Sequence, residues 1–277
     1  MAEHRFEIEI NLHGITNQLQ LSLQRSMNLV AVGLQHGLTL SSVPPALPDT
    51  TIGFRFASNQ QWNADQTRNE WNRWILTNGF RDVSEAIHTT LEEVQTVLAH
   101  WELASIQTAG KQVKVSDWND IVVARGRRFH KLGLPDKLEF LATKYGFAID
   151  ADLARRALSI NAVRNCYVHR KGVVHPQDVT ANDNLTLEWR ALTIIGTSPK
   201  GEQELVPGTI VEAGTEVGVS NRARSKDFPL GAEIMLTADE FAQVCWTIMV
   251  LAETVTQQLE KHGRAMGVKF RQPEGAA

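Results

Sequence analysis

The spacing of apolar residues near the start of the chain changes from alternation to a helical period. Residues 5–12 alternate polar and apolar, with Phe6, Ile8, Ile10 and Leu12 on one face, which predicts a short strand. Residues 15–35 carry apolar side chains at helical intervals, and prolines within 43–48 exclude regular structure. Residues 1–60 are therefore expected to form an N-terminal strand, a helix and a Pro-rich linker.

Longer helical stripes occupy residues 61–172. A helix starting near Trp62 is expected to break around Asn78-Gly79 and to resume over residues 82–101. Further helices are predicted over 117–131 and 136–144, and over 150–172 between an N-cap at Asp150 and a left-handed C-cap at Gly172. Three tryptophans on these stripes are expected to belong to the core: Trp71, Trp74 and Trp101.

The segment before the last helix is predicted to be β-rich. Short strands are predicted over 185–195, 205–211, 215–219 and 234–236, separated by glycine and proline turns. A capping-box spacing at Thr237 then begins a final helix that continues to about Lys261. The expected fold is mainly α, a helical domain over 61–277 with a β-insertion at about 185–236.

Composition is that of a globular protein, with 43% hydrophobic and 21% charged residues. We expect a cytoplasmic protein without a membrane partner, because no apolar run is long enough to span a bilayer and the first ten residues do not resemble a secretion signal. Cys166 and Cys245 lie within apolar helical patterns and are interpreted as small buried side chains.

Positive charge is concentrated in one part of the chain. Residues 121–172 contain 11 Lys and Arg against 4 Asp and Glu, a balance of +7, whereas the remaining 17 basic and 27 acidic residues give −10. Such a segment attracts polyanions through phosphate contacts, although a solvated basic face without a ligand has the same composition. Both interpretations stay open at this point.

The predicted helix over 150–172 carries polar residues where a buried face is expected. Its apolar stripe leads to Arg164, whose permanent charge requires an acid, a phosphate or a water-lined cleft. Asn161, Asn165 and His169 follow one another at intervals of four and so share a face. Asparagine is a mediocre helix former, so its repetition indicates that its hydrogen bonds matter.

The run Arg164-Asn165-Cys166-Tyr167-Val168-His169 resembles the active-site pattern of the HEPN superfamily, Arg followed by a polar residue and then by His near the end of a helix. The resemblance implies a HEPN-like helical bundle and active-site roles for Arg164, Asn165 and His169. It also implies a metal-independent endoribonuclease without a cofactor, acting as a homodimer. A toxin or phage-defence role, with a separate antitoxin or regulator, is a further implication.

The residue types suit such chemistry. Histidine, with an ordinary pKa of about 6.5, transfers protons near neutral pH, and arginine offers two parallel donors to phosphate oxygens. Asn165 can orient the imidazole or a phosphate oxygen. On one straight helix Arg164 and His169 are separated by about 140° around the axis. A symmetric dimer that pairs two such helices would bring the two kinds of group together.

Other residues are candidates for binding RNA rather than cutting it: Arg127, Arg128, Asn161, Arg170 and Lys171. A looser match, Arg125 to His130, has glycine where the polar residue is expected. Patterns for zinc hydrolysis, P-loop chemistry and α/β-hydrolase catalysis are absent from the sequence, and no metal site is expected. The alternative is a non-catalytic RNA-binding or dimerisation module on the same scaffold.

Overall fold

The computed structural model describes residues 11–39, 64–108, 114–179, 183–199, 201–206 and 208–270. The fold is mainly helical with one small antiparallel sheet before the last helix, as expected. In chain order the elements are α1 (Leu12–Thr39), α2 (Ala64–Thr108), α3 (Val115–His130), α4 (Leu134–Tyr145), α5 (Ala151–Arg170), β1 (Asn184–Ser198), β2 (Gly201–Glu204), β3 (Glu216–Pro229) and α6 (Ala238–Ala265).

Helix α2 is the central element of the bundle. It packs against α1, α3, α5 and α6, while β1 lies against α5 and α6. A single large core joins side chains from α1, α2, α4, α5, α6 and the sheet. Leu19 of α1 belongs to this core, as do Leu91 of α2 and Leu251 of α6. The predicted division of the chain near residue 60 falls outside the described residues.

The predicted break in α2 at Asn78-Gly79 is wrong. The helix continues through both residues, and the Asn78 side-chain amide donates back to the carbonyl oxygen of Trp74 at 2.8 Å without ending it. Gly79 is there for close packing: a Cβ atom on it would lie 2.6 Å from Val30 of α1 and 2.8 Å from Phe241 of α6. The glycine allows three helices to meet.

The structure describes only part of residues 1–60, and within that part α1 confirms the helix predicted over 15–35. The predicted strand over 5–12 lies outside the described residues except for Asn11 and Leu12, and Leu12 is already the first residue of α1. The proline-rich stretch over 43–48 also lies outside them. Trp101 is buried as predicted, but the prediction for Trp74 is wrong, because 59% of its surface is exposed.

The sheet has the strand order β2-β1-β3, and β1 pairs with β3 over fourteen residues, from Asn184 opposite Pro229 to Thr197 opposite Glu216. Side chains of the neighbouring helices bind the backbone of β1. The backbone N–H of Glu188 donates to Ser159 Oγ at 2.9 Å, and that of Arg190 donates to Thr247 Oγ1 at 2.8 Å. The sheet is thereby fixed to α5 and α6.

Two of the predicted strands are not strands. The first half of the predicted strand over 205–211 folds into a turn in which the Thr209 backbone N–H donates to the Val206 carbonyl at 2.9 Å, and β2 ends before it. Residues 234–236 lie next to an isolated bridge between Val173 and Glu233. At 234–236 the apolar character reflects burial rather than strand pairing, because Ile234 and Leu236 are core residues, whereas Val206, Ile210 and Val211 are exposed.

Other local predictions are confirmed. Thr237 and Glu240 form the reciprocal capping box that begins α6. Cys166 and Cys245 are buried free thiols, and burial raises the pKa of Cys166 to about 11. Among the residues that the structure describes, none of the helices is both long and apolar enough to cross a membrane.

Candidate functional site

Helix α5 is held at both ends by local interactions. Asp150 caps its start, because Oδ1 accepts from the backbone N–H of Leu153 at 2.9 Å. At its end Lys171 and Gly172 both have positive φ, and the Gly172 N–H bonds to the Cys166 carbonyl at 3.2 Å. The predicted left-handed C-cap is therefore confirmed, with Lys171 adopting the same conformation as the glycine.

Tyr167 fixes the rotation of α5 about its axis. Its ring stacks on Phe80 of α2 with centroids 5.2 Å apart, and its hydroxyl donates to the carbonyl of Ile234 at 2.6 Å. The buried face of α5 therefore runs through Val163 and Tyr167 rather than through Arg164. Arg164 lies at the border of this face, half-buried against α2.

Arg164 is a partly buried cation without an acid. Its Nη1 donates to Asn165 Oδ1 at 3.1 Å, and its Nε is buried without a hydrogen-bond acceptor. No carboxylate among the described residues forms an ion pair with it. Burial and then the charge of Arg81 lower the pKa of its guanidinium, which is the opposite of what an acidic partner would do.

His169 occupies a different side of α5. It is exposed, and it makes no hydrogen bond with any described residue. The structure thus brings Arg164 and Asn165 together and does not join His169 to them within one chain, as the angle of about 140° on a straight helix requires. An imidazole and a guanidinium that act on one phosphate would have to come from two copies of α5.

The remaining predicted RNA-binding residues differ in how free they are. Arg170 is engaged, because its Nε donates to Asp178 Oδ2 at 2.6 Å and its Nη2 to the other oxygen. Lys171 is exposed beside it, and Asn161 is half-buried on the same helix. Of the three arginines among these candidates, Arg170 is bound to Asp178 in a turn, whereas Arg127 and Arg128 are exposed near the end of α3.

Carboxylates neutralise much of the basic segment, and except for Asp152 they lie outside residues 121–172: Glu92, Glu102, Asp178 and Glu188. Six of its eleven cations form ion pairs: Arg125, Lys137, Lys144, Arg155, Arg156 and Arg170. Subtracting these from eleven leaves five without an ion pair in the described part of the chain: Arg127, Arg128, Lys131, Arg164 and Lys171. The excess of +7 in the sequence therefore overstates the charge that is free to meet a polyanion.

The looser match over 125–130 is part of this neutralisation. Arg125 pairs with Glu102 of α2, and His130 Nδ1 lies 3.0 Å from the carboxylate of Glu92. Both ends of the pattern are therefore engaged by carboxylates of α2. These contacts give the match a structural explanation.

A cluster of polar side chains that was not predicted from the sequence joins α2, α3 and α4. Lys137 of α4 is fully buried and donates to Glu92 Oε1 at 2.6 Å, with its ammonium 5.2 Å from the Phe129 ring centre. Burial raises the pKa of Glu92, but the hydrogen bonds from Lys137 and His130 outweigh it and lower that pKa overall. We call His88, Glu92, His130 and Lys137 the polar seam.

His88 is the member of the polar seam whose pKa is also affected by the charge of Arg164 in the motif. It is half-buried, and its pKa is lowered to about 4 by burial first and then by Lys137; Glu92 opposes the shift, and Arg164 and His130 add smaller lowering contributions. The imidazole is therefore neutral at pH 7. Its sequence position between Ile87 and Thr89, on an ordinary amphipathic helix, carries no signal of this environment.

Comparison with known proteins adds no family: the chain matches no protein-family model, and no curated protein and no solved structure matches it.

Proposed function

We propose that the protein is a metal-independent endoribonuclease of the HEPN type that cuts RNA through the 2′-hydroxyl. The observation that carries the proposal is the state of Arg164. A half-buried guanidinium that has an orphaned Nε and no carboxylate among the described residues is costly unless an anion completes it. It also belongs to the spacing Arg-Asn-x-x-x-His, whose imidazole is exposed.

The chemistry follows from what these groups can do. A neutral His169 imidazole accepts the proton of a ribose 2′-hydroxyl while that oxygen attacks phosphorus. The bond from phosphorus to the 5′-oxygen breaks, and a water molecule protonates the leaving oxygen, giving a 2′,3′-cyclic phosphate and a 5′-hydroxyl. Arg164 stabilises the negative charge that develops on the phosphorane oxygens, and Asn165 holds the guanidinium through its Oδ1.

A two-fold homodimer supplies what one chain does not. Since Arg164 and His169 diverge on α5, a pair of α5 helices near the axis would place the guanidinium of one chain across a groove from the imidazole of the other. The two-fold symmetry would then create two identical grooves in each dimer. We place this activity in the cytoplasm and interpret it as that of a toxin or defence effector, held in check by a separate antitoxin or regulator.

The decisive experiment is cleavage of a defined RNA in EDTA. The purified protein should produce fragments ending in 2′,3′-cyclic phosphate, and His169→Ala should lower the rate by about a hundredfold or more while RNA affinity stays within about twofold. His175→Ala is the matched control, since His175 is another exposed histidine six residues further on. Cleavage that requires an added divalent metal, or an H169A protein as active as the wild type, rejects the mechanism.

A non-catalytic RNA-binding or dimerisation module is the second candidate. The observation that favours it is that His169 has no hydrogen-bond partner among the described residues to orient its ring, whereas catalytic imidazoles are commonly held by one. In that case the protein binds RNA with the same dependence on Arg164 and yields no cyclic phosphate at any protein concentration.

A further inference from the structure

Arg81 of α2 and Arg164 of α5 both lie close to the stacked rings of Phe80 and Tyr167, where these two helices pack together. Arg81 lies directly after Phe80, which stacks on Tyr167, and Arg164 is one turn before Tyr167. Burial, and after it the charge of Arg81, lowers the pKa of the Arg164 guanidinium. Two like charges are thus held together by the core packing beneath them, although they repel each other.

Most other arginines of the described chain have an acid. Arg73 pairs with Glu70 and Glu233, Arg156 with Asp152, and Arg25 with the Asp82 that directly follows Arg81. Arg81 itself makes no ion pair or hydrogen bond with any described residue, and the nearby Asp82 turns to α1 instead. Among the described residues the pair on α2 and α5 therefore lacks a counter-charge, and of the other described arginines only Arg127 and Arg128 share that state.

The donors that this pair leaves open are of the kind from which a phosphate accepts hydrogen bonds. Asn165 uses only Nη1 of Arg164, so Nε and Nη2 remain, and Nε is already desolvated. Arg81 is exposed and adds the five donors of a second guanidinium. His88, seven residues after Arg81 and therefore on the same face of α2, is a neutral imidazole that adds no further repulsion.

We infer that Arg81 and Arg164 together bind a single phosphate group of an RNA backbone, with Arg81 as a phosphate-binding residue outside the Arg-Asn-x-x-x-His motif. The choice of RNA as the source of the phosphate rests on the proposed function. The anion site itself rests on the unpaired guanidiniums. An arriving phosphate reduces the repulsion between the two cations and accepts from Nη2 of Arg164, which Asn165 leaves open.

The test is binding of an RNA oligonucleotide with 2′-O-methyl groups, which cannot be cleaved by the 2′-hydroxyl. Fluorescence anisotropy over a range of salt concentrations should show that Arg81→Ala weakens binding about 5- to 20-fold and reduces the slope of log K against log salt by about 0.7. Arg25→Ala removes an exposed arginine of neighbouring α1 and is the matched control, with an expected change under twofold.

A charge reversal separates binding from a purely structural role. Arg81→Glu would give Arg164 the carboxylate it lacks, so the melting temperature of this variant should rise while its affinity for the same RNA falls further than in Arg81→Ala. Arg81→Lys keeps the charge and loses the fork, and it should bind between the wild type and R81A. A structural role alone would leave RNA affinity unchanged in all three variants.

Inorganic phosphate provides a readout that needs neither RNA nor activity. In the wild-type protein, phosphate should shift the Nε–H resonance of Arg164 in a saturable manner, and R81A should weaken that titration. If R81A and the wild type bind RNA and phosphate alike, the two-arginine site is wrong, whether or not RNA is cut. If phosphate binding depends on Arg81 but no RNA is cleaved in EDTA, the site stands and the ribonuclease proposal fails.

Discussion

Arg170 donates from Nε to Oδ2 of Asp178 at 2.6 Å and from Nη2 to the other carboxylate oxygen, so that the last residue of α5 is bound to the turn that follows it. The same Oδ2 accepts from the backbone N–H of His175 at 3.0 Å. Only 3% of the Asp178 side chain and 15% of the Arg170 side chain are exposed. This pair sets the position of the backbone that carries His169.

Asp178→Asn should therefore be strongly destabilising. It removes the charge that compensates a mostly buried guanidinium, and we expect a loss of about 3 kcal/mol in the free energy of unfolding, measured by urea denaturation. Glu260→Gln is the control, because its pair with Arg264 is exposed and one turn apart on α6, and its loss should be under about 0.5 kcal/mol. Equal losses in the two variants would contradict a structural role for the turn.

A pair of glycine substitutions tests the packing of α2. Gly79→Ala places a methyl group 2.6 Å from Val30 and 2.8 Å from Phe241, so it should destabilise by about 1 to 3 kcal/mol. Gly126→Ala lies in α3 with nothing within 4 Å of the new methyl, so it should stabilise by about 0.5 to 1 kcal/mol. Thermal unfolding of the two variants should move in opposite directions, and a stabilised G79A would show that the three helices do not meet there.

Gly79 also shows where sequence reasoning about the fold stops. Periodicity and capping residues predicted α3, α4, α5 and α6 within a few residues, because each helix has its own start and stop signals. The break predicted at Asn78-Gly79 used the local cost of glycine in a helix, and the structure overrides that cost with contacts to α1 and α6. The strand predicted over 205–211 ends after its first residue: the Leu205 backbone N–H still donates to the Ile194 carbonyl of β1 at 2.8 Å, and the hydrogen bond from Thr209 to Val206 then closes a turn.

The candidate site was predictable only where its residues share one helix. Arg164, Asn165 and His169 could be found because their spacing on α5 is visible in the sequence. Arg81 and His88 could not, because their importance depends on which helix α5 packs against and how it is rotated. The charge of residues 121–172 misled in the same way, since the acids that neutralise it come from distant positions such as Glu92 and Glu102.

His88 makes stability depend on pH. Its folded pKa of about 4 lies below the ordinary value of 6.5, so the unfolded chain binds a proton first as the pH falls. The groups around it are Lys137, Arg164 and His130, which oppose its protonation, and Glu92, which favours it. The stability contributed by a neutral His88 is therefore complete above pH 6.5 and is lost as the pH falls toward 4.

The corresponding measurement compares wild type and His88→Gln by urea unfolding at pH 7 and pH 4.5. Because the ring is partly exposed, solvent screening reduces the effect, and the wild type should lose about 1 to 2 kcal/mol more than H88Q over this interval. The acid sensitivity of Glu92 and the other carboxylates is common to both proteins and cancels in the difference. Parallel losses in the two proteins would mean that His88 protonates freely in the fold.

We expect the arginines of α3 to bind RNA and the motif residues of α5 to cleave it, so substitutions on the two helices should have different effects. Replacing Arg127 and Arg128 by alanine should weaken RNA binding and lower the salt slope by about 0.7 for each phosphate that the variant no longer binds, with little change in the cleavage rate of bound RNA. Replacing Lys261 and Arg264 on α6 removes the same charge and should change neither quantity appreciably. If both double variants behave alike, the effect is that of net charge and not of a binding surface.

Arg164→Lys tests whether cleavage needs the two parallel donors of the Arg164 guanidinium. Lysine keeps the positive charge but cannot present two parallel donors, so the cleavage rate at saturating RNA should fall about a hundredfold while affinity changes less than about threefold. Single-turnover kinetics together with anisotropy separate the two quantities. A loss of affinity with an unchanged cleavage rate at saturating RNA would place Arg164 in binding alone.

The composite site of the proposed dimer can be tested by mixing two inactive proteins. In a dimer of Arg164→Ala with His169→Ala, one groove contains both substitutions, and the other combines the intact Arg164 of one chain with the intact His169 of its partner. Random exchange makes about half of the dimers mixed, each with one working groove of two, so an equimolar mixture should recover about a quarter of wild-type activity.

Each variant alone should stay inactive, and a mixture of R164A with R164A/H169A is the control, since it leaves no groove with an intact Arg164. If Arg164 and His169 of the same chain formed the site, every groove in the first mixture would contain one substitution and no activity would return. Sedimentation of the mixture should show a dimer at micromolar concentration, and a monomer with full cleavage activity would reject the arrangement of α5 helices across a two-fold axis.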